Sequence, residues 1–177
     1  MKLRAELTVV NMTMRAELAG NETGAIASDI KLSGEVKLAQ VEQLFSTPAG
    51  FKLLESMYQG NDELAVTEYG EFSITREVAG VKADLESTFG GSAVKFAGGE
   101  FNNITLKALP GRKVLFTGRL QVHPTKEQWG EMTTILKQTV DAHIRGKWLE
   151  PDEDEPKEKQ LPLTDKADDG KKDKVKH

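Results

Sequence analysis

FNNITLKALPGRKVLFTGRLQVH, residues 101–123, is the stretch whose reading decides the fold. Up to Leu109, and again from Lys113, apolar and polar side chains alternate with the period of two that marks a strand with one buried face. Pro110-Gly111 between them is a turn signal, so the stretch is a hairpin. A two-residue connection would set Ala108, Leu106 and Ile104 opposite Lys113, Leu115 and Thr117. A three-residue connection, Pro110–Arg112, sets them against Val114, Phe116 and Gly118. The apolar match selects the longer loop, because a slip of one residue turns every side chain to the wrong face.

Working outward, the same period recurs. Leu3, Ala5, Leu7 and Val9 alternate with polar residues, and the phase resumes as Met12, Met14, Ala16 and Leu18 after a one-residue shift at Val10-Asn11, which predicts a bulge or tight turn. Residues 19–24 form a turn cluster, followed by Ile26, Ile30, Leu32 and Val36 on one face. Further strands are expected over Glu71–Val78, Val81–Ser87 and Ser92–Ala97, with Gly90-Gly91 and Gly98-Gly99 as turns, and a closing strand over Val140–Trp148.

Two regions change period. Leu38, Val41, Leu44 and Phe45 lie on one helical stripe, and Thr47-Pro48 then reads as an N-cap and first helical position leading to Phe51, Leu54 and Tyr58. Thr125-Lys126-Glu127-Gln128 fits a capping box ahead of Trp129, Met132, Ile135 and Leu136. The fold class expected is α+β: a β-rich antiparallel sheet, sandwich or barrel-like domain over residues 1–149, with a helical pair at about 37–58 and one later helix at about 125–137.

Residues 150–177 are expected to be a disordered charged tail. They hold 10 of the 28 acidic and 7 of the 24 basic residues, three prolines, and only Leu161, Leu163 and Val175 as aliphatic side chains larger than Ala. Such a segment cannot bury enough apolar area to offset the entropy of ordering it. The body keeps 18 acidic and 17 basic residues and is nearly neutral.

Composition excludes several classes. There is no cysteine, so thiol catalysis, Cys-based zinc sites and disulfide scaffolds are out. No apolar run approaches the roughly 18 residues of a membrane span, and the first residues lack the apolar core of a signal peptide, which predicts a cytoplasmic protein, in the host cytoplasm if phage-encoded. His123 and His143 are the body's histidines and carry no H-E-x-x-H or D-x-D-x-D context. There is no G-x-S-x-G elbow, and Gly98-Gly99 opens a strand rather than a helix that could face a phosphate. No catalytic residue, metal or cofactor is expected, and the protein reads as a non-enzyme.

Nucleic-acid binding is the chemistry the residues suit. With the three-residue loop, Lys107, Lys113 and Arg119 share the hairpin's outer face with Phe101, Arg112 stands at its tip, and Lys95 on the preceding strand extends the patch. Basic groups beside an exposed aromatic suit a single strand: charge tracks phosphates while the ring stacks on a base. In the tail, Gln160-Leu161-Pro162-Leu163 resembles the Q-L-x-L core of bacterial sliding-clamp-binding peptides. That resemblance implies a polar subsite for Gln160 and an apolar pocket for Leu161 and Leu163; Thr164 stands where such peptides carry another apolar residue.

The stretches Gly24-Ala25-Ile26-Ala27-Ser28-Asp29-Ile30-Lys31-Leu32 and Leu120-Gln121-Val122-His123-Pro124-Thr125, with the charged tail, resemble the small β-rich proteins of tailed-phage early regions near recombination and replication genes. That resemblance implies a non-enzymatic accessory role in phage DNA metabolism, comparable to a single-strand-binding protein, with single-stranded DNA or a replication protein such as a sliding clamp as partner. The chain ends Lys174-Val175-Lys176-His177, unlike the acidic-plus-Phe peptide of bacterial single-strand-binding proteins. The alternative is a protein-interaction module that inhibits a host enzyme or defence complex. No membrane partner is expected, and the oligomeric state is left open.

Overall fold

The computed structural model describes residues 1–17, 25–60, 63–65, 70–91 and 93–149. The turn cluster at 19–24 and the whole tail from Glu150, with Gln160, Leu161 and Leu163, lie outside the described residues.

Among the described residues there are nine strands: β1 (Lys2–Glu17), β2 (Ala25–Lys37), β3 (Tyr58–Gln59), β4 (Glu63–Leu64), β5 (Phe72–Ile74), β6 (Val78–Ser87), β7 (Val94–Leu109), β8 (Lys113–Val122) and β9 (Thr139–Trp148). Six of them close into an antiparallel ring, β1-β2-β8-β7-β6-β9 and back to β1, with β5 added along β7. The α+β, barrel-like expectation is therefore met. Closure pairs both edges of the main strands and encloses one apolar interior.

Helices plug both mouths. At the Pro110–Arg112 end, α1 (Leu38–Val41) runs into a 3₁₀ turn (Glu42–Leu44), followed by α2 (Pro48–Glu55); Leu38, Val41, Leu44 and Leu54 are buried in the core. Leu38 N donates to Arg112 O at 2.8 Å, which ties this plug to the hairpin loop. At the other end, α3 (Lys126–Ile135) buries Met132 and Ile135. Its capping box forms as read: Gln128 N donates to Thr125 Oγ1 at 3.3 Å, and Thr125 N donates to Gln128 Oε1 at 2.7 Å.

The hairpin has the three-residue connection. Leu109 pairs with Lys113, Ala108 with Val114 and Leu106 with Phe116. The bulge foreseen at Val10 is likewise present, as a register shift between Val9 and Asn11.

Three sequence readings are corrected. First, Phe101 is not on the outer face. Asn103, at φ 50°, adds one residue to β7, so that Asn102 faces Arg119 and Phe101 faces Leu120. The inserted residue reverses the alternation, and Phe101 is fully buried, stacked on Phe116 with ring centroids 6.1 Å apart. Second, Gly98-Gly99 is not a turn but lies within the continuous strand β7. Gly98, at φ 80°, makes a bulge there, and a Cβ on Gly99 would sit 2.5 Å from Gln121 O, so the backbones of β7 and β8 approach as only glycine allows. Third, Met14 and Ile26 are exposed, because β9 pairs with β1 only as far as Thr8 and β8 pairs with β2 only from Ser28, leaving the end of the β1–β2 ribbon beyond the barrel wall.

Candidate nucleic-acid interface

The residues expected to form a basic patch do not come together as one. Lys107, Lys113 and Arg119 do share the outer face of β7 and β8, with Arg112 at the tip, but three of these four cations already face a carboxylate. Lys113 Nζ lies 3.5 Å from Glu35, and the Arg112 guanidinium lies 3.3 Å from Glu55 and 5.9 Å over the Tyr58 ring. Arg119 Nε donates to Asn102 Oδ1 at 2.8 Å, and its other end lies 3.7 Å from Asp29. Asn102, only 3% exposed, donates in turn to Gln121 Oε1 at 2.6 Å, and Gln121 Nε2 donates to Asp29 Oδ1 at 3.1 Å. Arg119 thus belongs to a closed polar ring that satisfies a buried amide. With Phe101 in the core, this face lacks the ring expected to stack on a base.

Lys95 sits elsewhere, on the part of β7 that pairs with β6, opposite Asp84. It borders the other half of the barrel wall, where β6, β9 and β1 lie side by side. There the cross-strand register builds rows that no local pattern in the sequence announces. Lys82 is directly opposite Arg145, and Arg145 is directly opposite Lys2. Asp84, His143 and Arg4 form the next row, with Lys95 beyond Asp84; Glu86, Asp141 and Glu6 form the third. Neighbouring strands are about 4.8 Å apart, so the Lys2–Arg145–Lys82 row packs three cations into about 10 Å.

The placement depends on a bulge. β6 carries an extra residue at Gly80, φ 59°, between the Ala79–Lys147 and Lys82–Arg145 pairs. Without that extra residue Lys82 would take the phase of the core. Among the described residues, Arg4 lies 3.7 Å from Asp141 and His143 Nε2 lies 3.4 Å from the same carboxylate, while no ion pair closes on Lys2, Lys82, Lys95 or Arg145. Like charges directly opposite one another destabilise a sheet, so the row carries a cost that an anionic ligand would relieve.

Two shallow depressions flank Arg145, one lined by Lys2, Arg4, Asp84 and His143, the other by Lys82, Lys95, His123 and Gln128. Outward positions of β1, β6 and β9 carry no Phe, Tyr or Trp among the described residues. The face therefore presents exposed cations with Asp84 among them, beside a row of three carboxylates, and no outward ring on these strands.

Elsewhere, perturbed groups are scattered. Burial pushes the Tyr58 phenol up, against the pull of a backbone contact and of Arg112. Burial also lowers the Met1 amino group, which donates to Gly146 O at 2.9 Å. The Glu127 carboxyl, at the start of α3, is held low by hydrogen bonds from its own backbone N–H and from Thr125. Among the described residues no group of three His, Asp or Glu converges to hold a metal ion, and no helix is long and apolar enough to cross a membrane. Compared with protein-family models, with curated proteins and with solved structures, the chain matches none.

Proposed function

We propose that this protein is a non-enzymatic accessory of phage-type DNA replication or recombination, and that it holds a single strand of DNA by its phosphates against the β1–β9–β6 wall. One observation carries the reading: the row Lys2–Arg145–Lys82, three cations in direct cross-strand register with no carboxylate paired to them, bordered by Arg4 and Lys95. Phosphate contacts supply most of the affinity of sequence-independent binding, and neutralising them is what lone surface cations do well. A single strand suits the curved barrel wall better than a duplex, whose persistence length is about 150 base pairs.

Binding of a labelled oligothymidylate is expected at about 50 mM salt, and engagement of three cations would give a log–log salt slope of about −2. No binding at low salt would remove the DNA reading. The tail peptide Gln160–Leu163 extends the proposal to a sliding clamp. Retention of the full chain on immobilised clamp should be lost when both Leu161→Ala and Leu163→Ala are introduced.

A second reading draws on a different observation. Phe89, 84% exposed in the β6–β7 turn, and Met14, 63% exposed on the projecting ribbon, are large apolar groups left in solvent. They suit a protein-interaction module that inhibits a host enzyme or defence complex. Capture of one stoichiometric protein in nuclease-treated lysate, lost on Phe89→Ser, would favour it over the DNA reading.

A further inference from the structure

We propose that the seam between β1 and β2 is a docking slot for an extended peptide of a partner protein, filled in the free chain by the side chain of Gln40. The slot selects a segment carrying one acidic and one basic side chain two residues apart. The inference goes beyond the reading of the β1–β9–β6 wall and does not depend on it.

Three observations carry it. The first is that the ring closes only in part between these two strands. β1 pairs with β9 from Lys2 to Thr8, but with β2 only from Thr8 onward. β2 pairs with β8 as far as Lys37, but with β1 only as far as Ser33. Lys2–Leu7 and Gly34–Lys37 therefore each keep one edge that no strand among the described residues covers. Such an edge is a template for a further strand. The seam is narrow at Gly34, where a Cβ would lie 3.0 Å from Glu6 O. Around Arg4 and Lys37 it opens into a groove of about 460 Å³.

The second is what Gln40 does there. Its Nε2 donates to Arg4 O on β1 at 2.9 Å, and its Oε1 accepts from Lys37 N on β2 at 2.8 Å. Within a sheet, a peptide unit likewise points its N–H at one neighbouring strand and its C=O at the other. The Gln40 amide thus stands where one peptide unit of an intervening strand would be, and the gap it spans is one that a backbone can fill. Both bonds are exposed, so exchanging them for those of an incoming chain costs little.

The third is charge. The Thr8–Ser33 register, continued into the seam, sets Glu6 against Glu35 and Arg4 against Lys37. All four line the groove. Arg4 and Glu35 have partners outside it, Asp141 at 3.7 Å and Lys113 at 3.5 Å, whereas no ion pair among the described residues closes on Glu6 or Lys37. Like charges directly opposite destabilise a sheet, which favours the parting of β1 and β2 here. A guest strand separates both like pairs. It meets them best with a basic side chain level with Glu6 and Glu35 and an acidic one level with Arg4 and Lys37. Those levels are two residues apart, so both side chains leave the same face of the guest.

The test titrates the full chain into the fluorescently labelled peptide TVEVKVT, blocked at its C-terminus, and reads anisotropy. Saturable binding is expected below about 1 mM, and it should be about tenfold tighter for Gln40→Ala, which removes the resident amide. N-methylation of alternate peptide nitrogens should abolish it, because the donors of one edge are lost. The like-charged peptides TVEVEVT and TVKVKVT should bind at least about fivefold more weakly. These peptide comparisons use the wild type alone and hold whatever Gln40→Ala does to folding. No binding of TVEVKVT to either protein, or binding that is indifferent to N-methylation, to the charge pattern or to Gln40→Ala, overturns the inference. The DNA reading survives that outcome, because Lys82 and Arg145 lie outside the groove. Peptide binding without oligothymidylate binding supports the slot and overturns the DNA reading instead.

Discussion

The two halves of the barrel wall carry similar numbers of cations and differ in what those cations face. On the β2–β8–β7 side, Lys113, Arg112 and Arg119 are each set against a carboxylate, and Arg119 also completes the hydrogen bonding of buried Asn102. On the β1–β9–β6 side, Lys2, Arg145 and Lys82 face one another. A count of Lys and Arg cannot separate the two surfaces, whereas their pairing can. The first half pairs its cations with carboxylates, and the second leaves three of them facing one another at some cost to the sheet.

The comparison breaks most readily by charge reversal. Lys82→Glu with Arg145→Glu should weaken oligonucleotide binding by about 100-fold or more at low salt, since two phosphate contacts become repulsions. The same reversal of Lys107 and Lys113 should change affinity less than about threefold. Equal losses from both pairs would erase the distinction between the faces.

Next in size is the stability of the hairpin side. Arg119→Ala leaves the Oδ1 atom of Asn102 without its donor in a site that water barely reaches, and a loss of about 1–3 kcal/mol in urea denaturation is expected. Tyr58→Phe removes the phenol's hydrogen bond to Lys113 O, for a loss of about 1 kcal/mol at neutral pH. The wild type should also show an alkaline limb that the variant lacks. Because burial raises the folded phenol above its ordinary value of 10.0, the stability it brings is complete below that pH and is lost as pH climbs through the higher folded value. Thermal melts across that range check this.

The smallest effect has the opposite sign. Arg145→Thr should stabilise the protein by about 0.2–1 kcal/mol at low salt, by ending the repulsion from Lys2 and Lys82, and the gain should fade as salt screens it. Stabilisation accompanied by weaker DNA binding is the signature of a surface kept for a ligand.

Much of the architecture was legible because it is written locally. The Pro110–Arg112 loop follows from the apolar match across it, the Val10 bulge from a visible phase shift, and the start of α3 from Thr125 and Gln128. What failed were insertions with no phase signal of their own. Gly98-Gly99 has the composition of a turn, but the strand runs through it as a bulge. Asn103 looks like an ordinary strand residue, yet its φ of 50° turns Phe101 from surface to core and with it removes the stacking ring from the expected site. The cation row was illegible for a different reason. Lys2, Lys82 and Arg145 are far apart in sequence and become neighbours only through ring closure and the extra residue at Gly80.

The most direct measurement is the salt dependence of oligothymidylate binding by the wild type and by Lys82→Ala and Arg145→Ala. If these side chains contact phosphates, each substitution should make the log–log slope shallower by about 0.7, while Lys107→Ala leaves it unchanged. A slope indifferent to Lys82 and Arg145, or one that moves only with Lys107, would contradict the assignment of the nucleic-acid face to the β1–β9–β6 wall.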